Sequence, residues 1–517
     1  MANKTLFQTL AGLFTSRPDT TNEAGAPAFA LTGEQALAQY AVTGCLNGTF
    51  YASAQDQLDK VLALANECDV TFVAKAAVYA RRQGLMKDMP ALLCAVLAVR
   101  DGALLQRVFP QVIDNGKMLR NFVQIVRSGA VGRKSLGTLP RRLVREWLQR
   151  RSLDQLFYAS LGNSPSLRDI VRMVHPKPDG PARANFYAWL LGKPFDLELL
   201  PEAARQLEQY RRGEAELPDV DFRFVSALPL STDDWRTLAR RSSWTALRMN
   251  LNTFLRHGVF DCFDTSLQLA ARLADPELIG KAKTFPYQIM TTMQNLDAKA
   301  PRMLCDALDR AMEIATANVP ALPGHTVLAI DVSGSMHSAV TGHRKGSTSK
   351  TTCLDAAATL AAAVLRRNPD ATVIPFHEHT LDVRLDAREP ITRIAQRLRE
   401  LPSGGTNCSS VLARLNRERA NADTVIYFSD NESWVDARPA ARSTAMLAEW
   451  RRFKKRNPKA QLVCIDVQPY ATVQAPVGDD VTHVGGFSDQ VFEVLRAVAD
   501  GDPSPDRFVS RIREVAI

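Results

Sequence analysis

Acidic residues are almost missing between 117 and 151, where ten Lys or Arg stand against Glu146 alone. Other shortages are just as informative. No apolar run approaches the roughly 18 residues that a membrane-spanning helix needs, which predicts no membrane partner. Met1–Thr20 is polar and carries no secretory hydrophobic stretch, so a cytoplasmic protein is expected. The eight cysteines are dispersed with no Cys-x-x-Cys pair, which argues against a zinc ribbon or a dithiol redox site. Several, such as Cys94 and Cys464, lie in apolar runs and read as reduced, buried small hydrophobes.

At 517 residues, 46% of them hydrophobic and 23% charged, the chain is too long for one core, and at least two domains are expected. Residues 1–28 are polar and predict a flexible arm. From 29 to 320 helical patterns follow one another, punctuated by Gly, Pro or Asn: Val70–Gln83, Lys117–Arg127, Pro140–Arg151, Ser166–Val174, Trp244–His257 and Pro301–Ala317 among them. Helix pairs stacked on their neighbours predict an α-solenoid of HEAT-like repeats. The Pro- and Gly-containing stretch Asn318–His325 marks a boundary. Beyond it, strands at Thr326–Ile330, Ala371–Phe376, Thr424–Phe428 and Ala460–Val467 alternate with helices such as Thr352–Arg367. That alternation predicts a doubly wound parallel sheet over 321–517, and the fold class is therefore α plus α/β.

The net charge of +9 hints at a polyanionic partner. Pro140 suits the first turn of a helix on which Leu143, Val144, Trp147 and Leu148 share one face and Arg141, Arg142 and Arg145 the other. Lys117, Arg120, Arg127, Arg133 and Lys134 precede them, and Arg168, Arg172, His175 and Lys177 follow. Unneutralised cations over consecutive helices predict a track for phosphates without base readout.

The α/β half carries a second signal. Asp331-Val332-Ser333-Gly334-Ser335 follows the first strand directly. One carboxylate and two hydroxyls around a point are hard oxygen ligands suited to Mg²⁺. Ser403-Gly404-Gly405-Thr406-Asn407 offers a third hydroxyl, and Ser429-Asp430 closes the next strand but one. This order resembles the metal-ion-dependent adhesion site of a von Willebrand factor A domain, with Asp331, Ser333, Ser335, Thr406 and Asp430 as ligands to Mg²⁺ or another divalent cation. Two further patterns mislead. Gly346-Ser347-Thr348-Ser349-Lys350-Thr351 lacks the Gly that a phosphate-binding loop needs before its Lys, and His377-Glu378-His379 lacks the helical spacing of a metalloprotease.

A helical array followed by an A domain resembles the TROVE-domain family of Ro-type ribonucleoproteins, in its bacterial form. Leu37–Gly44 with Asn47-Gly48-Thr49-Phe50-Tyr51, the block Ser166–Pro178, Trp244–Leu251, Ser429–Glu432 and Gly485–Ser488 carry the likeness. Two departures stand out: Leu167 replaces the family's His, removing one polar RNA contact, and Tyr-Ala-Val at 40–42 replaces its Arg-Phe. The resemblance implies a monomeric, noncatalytic scaffold whose helical repeats form a ring closed by the A domain. It implies binding of a small noncoding Y-like RNA and of single-stranded 3′ ends of misfolded RNA. It also implies work beside an exoribonuclease such as polynucleotide phosphorylase in RNA degradation and stress response. From the residues alone an adaptor for an acidic protein partner stays open.

Overall fold

The computed structural model describes residues 17–517 apart from 45, 285, 318, 344–349, 438–442, 469, 487–489 and 502–506. Phe487, Ser488 and most of the loop at 346–351 therefore lie outside the described residues. The chain divides into two compact units. One takes its residues from 62–282, 296–307 and 512–517, the other from 17–61, 283–295 and 308–511.

The first unit is an array of helices. Val70–Arg82 packs against Asp88–Arg100 and Gly102–Val112, and the pattern continues: Asp88–Arg100 meets Gly116–Ser128, and Gly102–Val112 meets Thr138–Arg150. Local chemistry sets the ends of these helices. In Gly116–Ser128 the Asn115 side chain accepts from the Lys117 and Met118 amides, and Gly129 leaves the helix at φ 92°. Between these ends Met118, Leu119, Phe122, Val123 and Val126 form one buried stripe at helical spacing. Ser166 and Asp169 cap Leu167–Val174 reciprocally. Trp244–His257, expected as one helix, is two, Trp244–Met249 and Leu251–Arg256. Asn250 stands between them with non-helical torsions, its side-chain amide donating to the Ala246 carbonyl at 2.8 Å. A short amide that bonds nearby backbone competes with helix continuation.

The second unit is built on a five-stranded parallel sheet. Its strands are β3 (Thr326–Asp331), β4 (Thr372–Phe376), β5 (Thr424–Ser429), β6 (Gln461–Asp466) and β8 (Val481–Gly485), in the order β4-β3-β5-β6-β8. β3 and β5 are buried at every residue, as sheets covered on both faces require. The chain passes outward in opposite directions from β3 and β5, so their carboxyl ends flank the switch point where open α/β sheets bind ligands. Cys353–Arg367 covers the sheet and is buried along Cys353–Leu365.

The amino-terminal residues differ from expectation. Within 17–28, read as a flexible arm, β1 (Thr20–Thr21) pairs with β2 (Pro27–Ala30). β2 pairs in turn with β7 (Thr472–Val473). Phe29 joins the core of the sheet unit, and buried Asn22 donates to the Ser433 carbonyl at 2.8 Å while accepting from the Ala26 amide. Helix Gly33–Thr43 packs on β8. Residues 29–61, assigned by sequence to the helical domain, thus belong to the sheet unit, because strand pairing and apolar burial tie them there.

Candidate metal centre and cationic surface

Three loop ends converge at the switch point. Asp331 ends β3, fully buried; its Oδ1 accepts from the Ser333 amide at 2.8 Å and its Oδ2 from the Ser429 hydroxyl at 2.6 Å. The Ser333 and Ser335 hydroxyls lie 3.3 Å apart. The Gly334 amide donates to the Gly404 carbonyl at 3.0 Å, drawing the Gly-Gly-Thr turn onto the first loop. Buried Thr406 accepts through its carbonyl from the Trp434 and Val435 amides, each at 3.1 Å, fastening that turn to the third loop. Gly405 has to be Gly: a Cβ there would stand 2.7 Å from both Trp434 and Val435 side chains. Ser335 hydrogen-bonds Asp430, which completes the grouping.

The electrostatics are those of carboxylates held together out of water. Burial pushes Asp331 up, against the hydrogen bonds from Ser333 and Ser429. Burial first, and Asp331 second, push Asp430 up to about 7. Glu432, also buried, is pushed up to about 9 by burial and then by Asp430. Among the described residues no Lys or Arg lies within ion-pair distance of these three acids. No group of three His, Cys, Asp or Glu able to hold a metal occurs among the described residues either.

Sequence reading missed three participants. Ser429 was visible beside Asp430 but not as the anchor of Asp331. Glu432 was visible too, but nothing showed that its carboxylate would be buried, accepting from the Glu23 amide at 2.8 Å. Tyr51 stood out only within the Asn47–Tyr51 likeness, with no sign of a place at this site: it hydrogen-bonds Ser335 from a segment remote in sequence, and burial, then Asp430, raise its phenol. The His377 and His379 rings meet edge to face at 4.4 Å, and His377 Nδ1 accepts from the Glu378 amide. That local turn explains the His-x-His pattern.

In the helical unit, Leu167–Val174 packs against both Gly116–Ser128 and Thr138–Arg150, so the expected cations sit on three neighbouring helices and their loops. Lys117, Arg127, Lys134, Arg141, Arg142, Arg168, Arg172, His175 and Lys177 are exposed. Arg127 reaches the Met173 sulfur at 3.0 Å, and Arg168 donates to the Leu190 carbonyl at 2.8 Å. Glu146 bridges Arg142 and Arg150 at 3.7 and 3.8 Å, which leaves the surface strongly positive. Three expected members are turned inward. Arg145 donates to the Val174 carbonyl, Arg133 to the Ala98 carbonyl at 2.6 Å, and Arg120 to the Ala159 carbonyl at 2.9 Å. Val174 and Ala159 lie at helix carboxyl ends, where unpaired carbonyls favour a cation. Leu167 is buried, so the position that departs from the family pattern serves the core.

Residues 325–499 match the model of the Ro60 vWA domain. The chain is 26% identical over 532 residues to a Deinococcus radiodurans protein named RNA-binding protein RO60, covering 93% of this chain and 95% of that one. It is 24% identical over 212 residues to a Caenorhabditis elegans protein of the same name, covering 39% of this chain and 32% of the other. In fold it is similar to the crystal structure of the Deinococcus radiodurans RO (RSR) protein, with a TM-score of 0.61, 23% identity, and coverage of 91% of this chain and all of that one. The parallel sheet with its converging loops agrees with these likenesses: residues 325–499 match a Ro60-type A domain, and nearly the whole chain is similar to the Deinococcus radiodurans protein.

Proposed function

We propose that this chain is a noncatalytic RNA-binding scaffold of a Ro-type ribonucleoprotein. The observation that carries the reading is the exposed cationic surface of three neighbouring helices, whose acids are Glu146 on Thr138–Arg150 and Asp169 on Leu167–Val174. Such a surface attracts phosphates without reading bases. Two relatives named as RNA-binding proteins support RNA as the polyanion. Within this reading the RNAs are a small Y-like noncoding RNA and single-stranded ends of structured or misfolded RNA. The setting is cytoplasmic RNA quality control or stress response beside an exoribonuclease such as polynucleotide phosphorylase, with the protein a monomer.

Two buried carboxylates without a cationic neighbour, grouped with three hydroxyls, fit a hard divalent cation. Asp331, Ser333, Ser335, Thr406 and Asp430 would hold Mg²⁺, which would neutralise the acids and offer an acceptor for a partner's carboxylate. Trp434 and Val435, 46% and 38% exposed beside the Gly-Gly-Thr turn, favour a second use of this face as a protein-docking surface. Fluorescence anisotropy of a structured RNA with a single-stranded 3′ tail, against a blunt duplex, tests the scaffold reading. Tight, tail-dependent binding is expected; weak binding indifferent to the tail would leave the adaptor in its place.

A further inference from the structure

The helical unit contains a cavity of about 550 Å³, within the size range of small-molecule sites. Lys117, Arg120, Arg151 and Arg223 supply its cations, Trp147 and Tyr158 its rings. Lys117, Arg120 and Arg151 belong to the basic run read from the sequence, and Arg223 does not. Among the described residues no carboxylate lies within ion-pair distance of Lys117, Arg120 or Arg151. Arg120 is held in place from two sides. It donates to the Ala159 carbonyl at 2.9 Å, and Gly162, at φ 105°, leaves room where a Cβ would stand 2.7 Å from its Nη2. Arg223, the neighbouring cation, is oriented by two hydrogen bonds to Asp221 at 2.8 and 2.7 Å. Burial first, and Arg223 second, disfavour the charge of Arg120, which has no carboxylate of its own, while Arg223 is already paired with Asp221 and adds its remaining N–H groups.

The aromatic wall is equally fixed. Phe157 stacks on Phe224 at 4.2 Å and 10°. Tyr158 leans on both, with ring centroids at 5.3 and 6.0 Å, and stays 43% exposed. Arg151 lies over Trp147 at 4.9 Å, a planar cation stacked on a ring. Asp154, on the rim beside Tyr158, can accept from an exocyclic amino group.

From this arrangement we infer that the cavity holds one nucleoside monophosphate unit, its phosphate at Arg120 and Arg223 and its base against Tyr158. The unit is either a free nucleotide or one splayed nucleotide of a bound strand. The second source rests on the RNA-scaffold reading; the first does not.

Isothermal titration of the full chain with AMP, ribose 5-phosphate and inorganic phosphate tests it. AMP should bind about tenfold more tightly than ribose 5-phosphate, because base stacking on an aromatic ring contributes on that order. Tyr158→Ala should abolish that difference and Tyr158→Phe should keep it. Arg120→Gln should weaken all three ligands, and exposed Lys117→Gln gives the same readout should Arg120→Gln fail to fold. Competition by an eight-residue oligoadenylate identifies a strand as the source, and its absence identifies free nucleotide. AMP binding no tighter than ribose 5-phosphate, or unchanged in Tyr158→Ala, overturns the inference. Tail-dependent RNA binding with AMP silent overturns the cavity alone, whereas AMP binding without RNA binding overturns the scaffold reading alone.

Discussion

The Ser429 hydroxyl donates to Asp331 Oδ2 at 2.6 Å, joining the ends of two adjacent parallel strands. With the Ser333 amide on Oδ1, both oxygens of a fully buried carboxylate are held by hydrogen bonds. A carboxylate fixed this way would lose little freedom on binding the proposed cation.

Asp331→Ala removes the central carboxylate without touching the helical unit. Millimolar Mg²⁺ should raise the melting temperature of the wild type and leave that of the variant unchanged. At a hundredfold excess over Kd the linkage is worth about 2.7 kcal/mol. RNA affinity should stay within about twofold, on the same order as experimental scatter. Equal loss of RNA binding in a folded variant would show that the two sites are not separate.

Asp430 and Glu432 are raised to about 7 and about 9 in the folded chain. A raised acid favours folding while protonated. That contribution is complete below the ordinary carboxylate range, about pH 4, and is lost as pH climbs through the raised values. In EDTA the melting temperature should therefore fall between pH 5 and pH 9, and Mg²⁺ should recover more of it at pH 8 than at pH 5. A flat profile in EDTA would mean the acids are not held as described.

Arg141 and Arg142 are exposed, whereas Arg145 is committed to the Val174 carbonyl. Arg141→Ala with Arg142→Ala should flatten the dependence of log K on log salt by about 0.7 per lost contact with a single strand. Arg145→Ala should mainly lower thermal stability. The opposite ranking in salt titrations would show that Arg145 turns outward to meet RNA.

Gly405→Ala puts a methyl 2.7 Å from Trp434 and Val435. Overpacking of this kind costs about 1–3 kcal/mol. Because the turn also carries Thr406, the variant should need more Mg²⁺ for the same thermal shift. Unchanged stability and metal response would mean the third loop yields freely.

The strand ends were legible because buried parallel strands are continuous apolar runs, and Asp331, Thr406 and Asp430 follow from the loops that end or connect them. The capped helices were legible too: Asn115 and Gly129 bracket Gly116–Ser128 as an amphipathic stripe demands. The inward turn of Arg120, Arg133 and Arg145 was not, since periodicity assigns a residue to a face but not its guanidinium to a carbonyl on another helix. Tyr51 and Asn22 were hidden for a different reason. Their contacts are set by long-range pairing, which leaves no local pattern in the chain.

The pairing of β2 with β7 has a consequence for synthesis. Thr472 is translated hundreds of residues after its partner Ala30. At about 5–20 residues per second, β2 waits tens of seconds for its neighbour. The edge of an incomplete sheet stays open while the helices between are made, so the nascent chain is exposed to strand-swapping partners until β7 emerges.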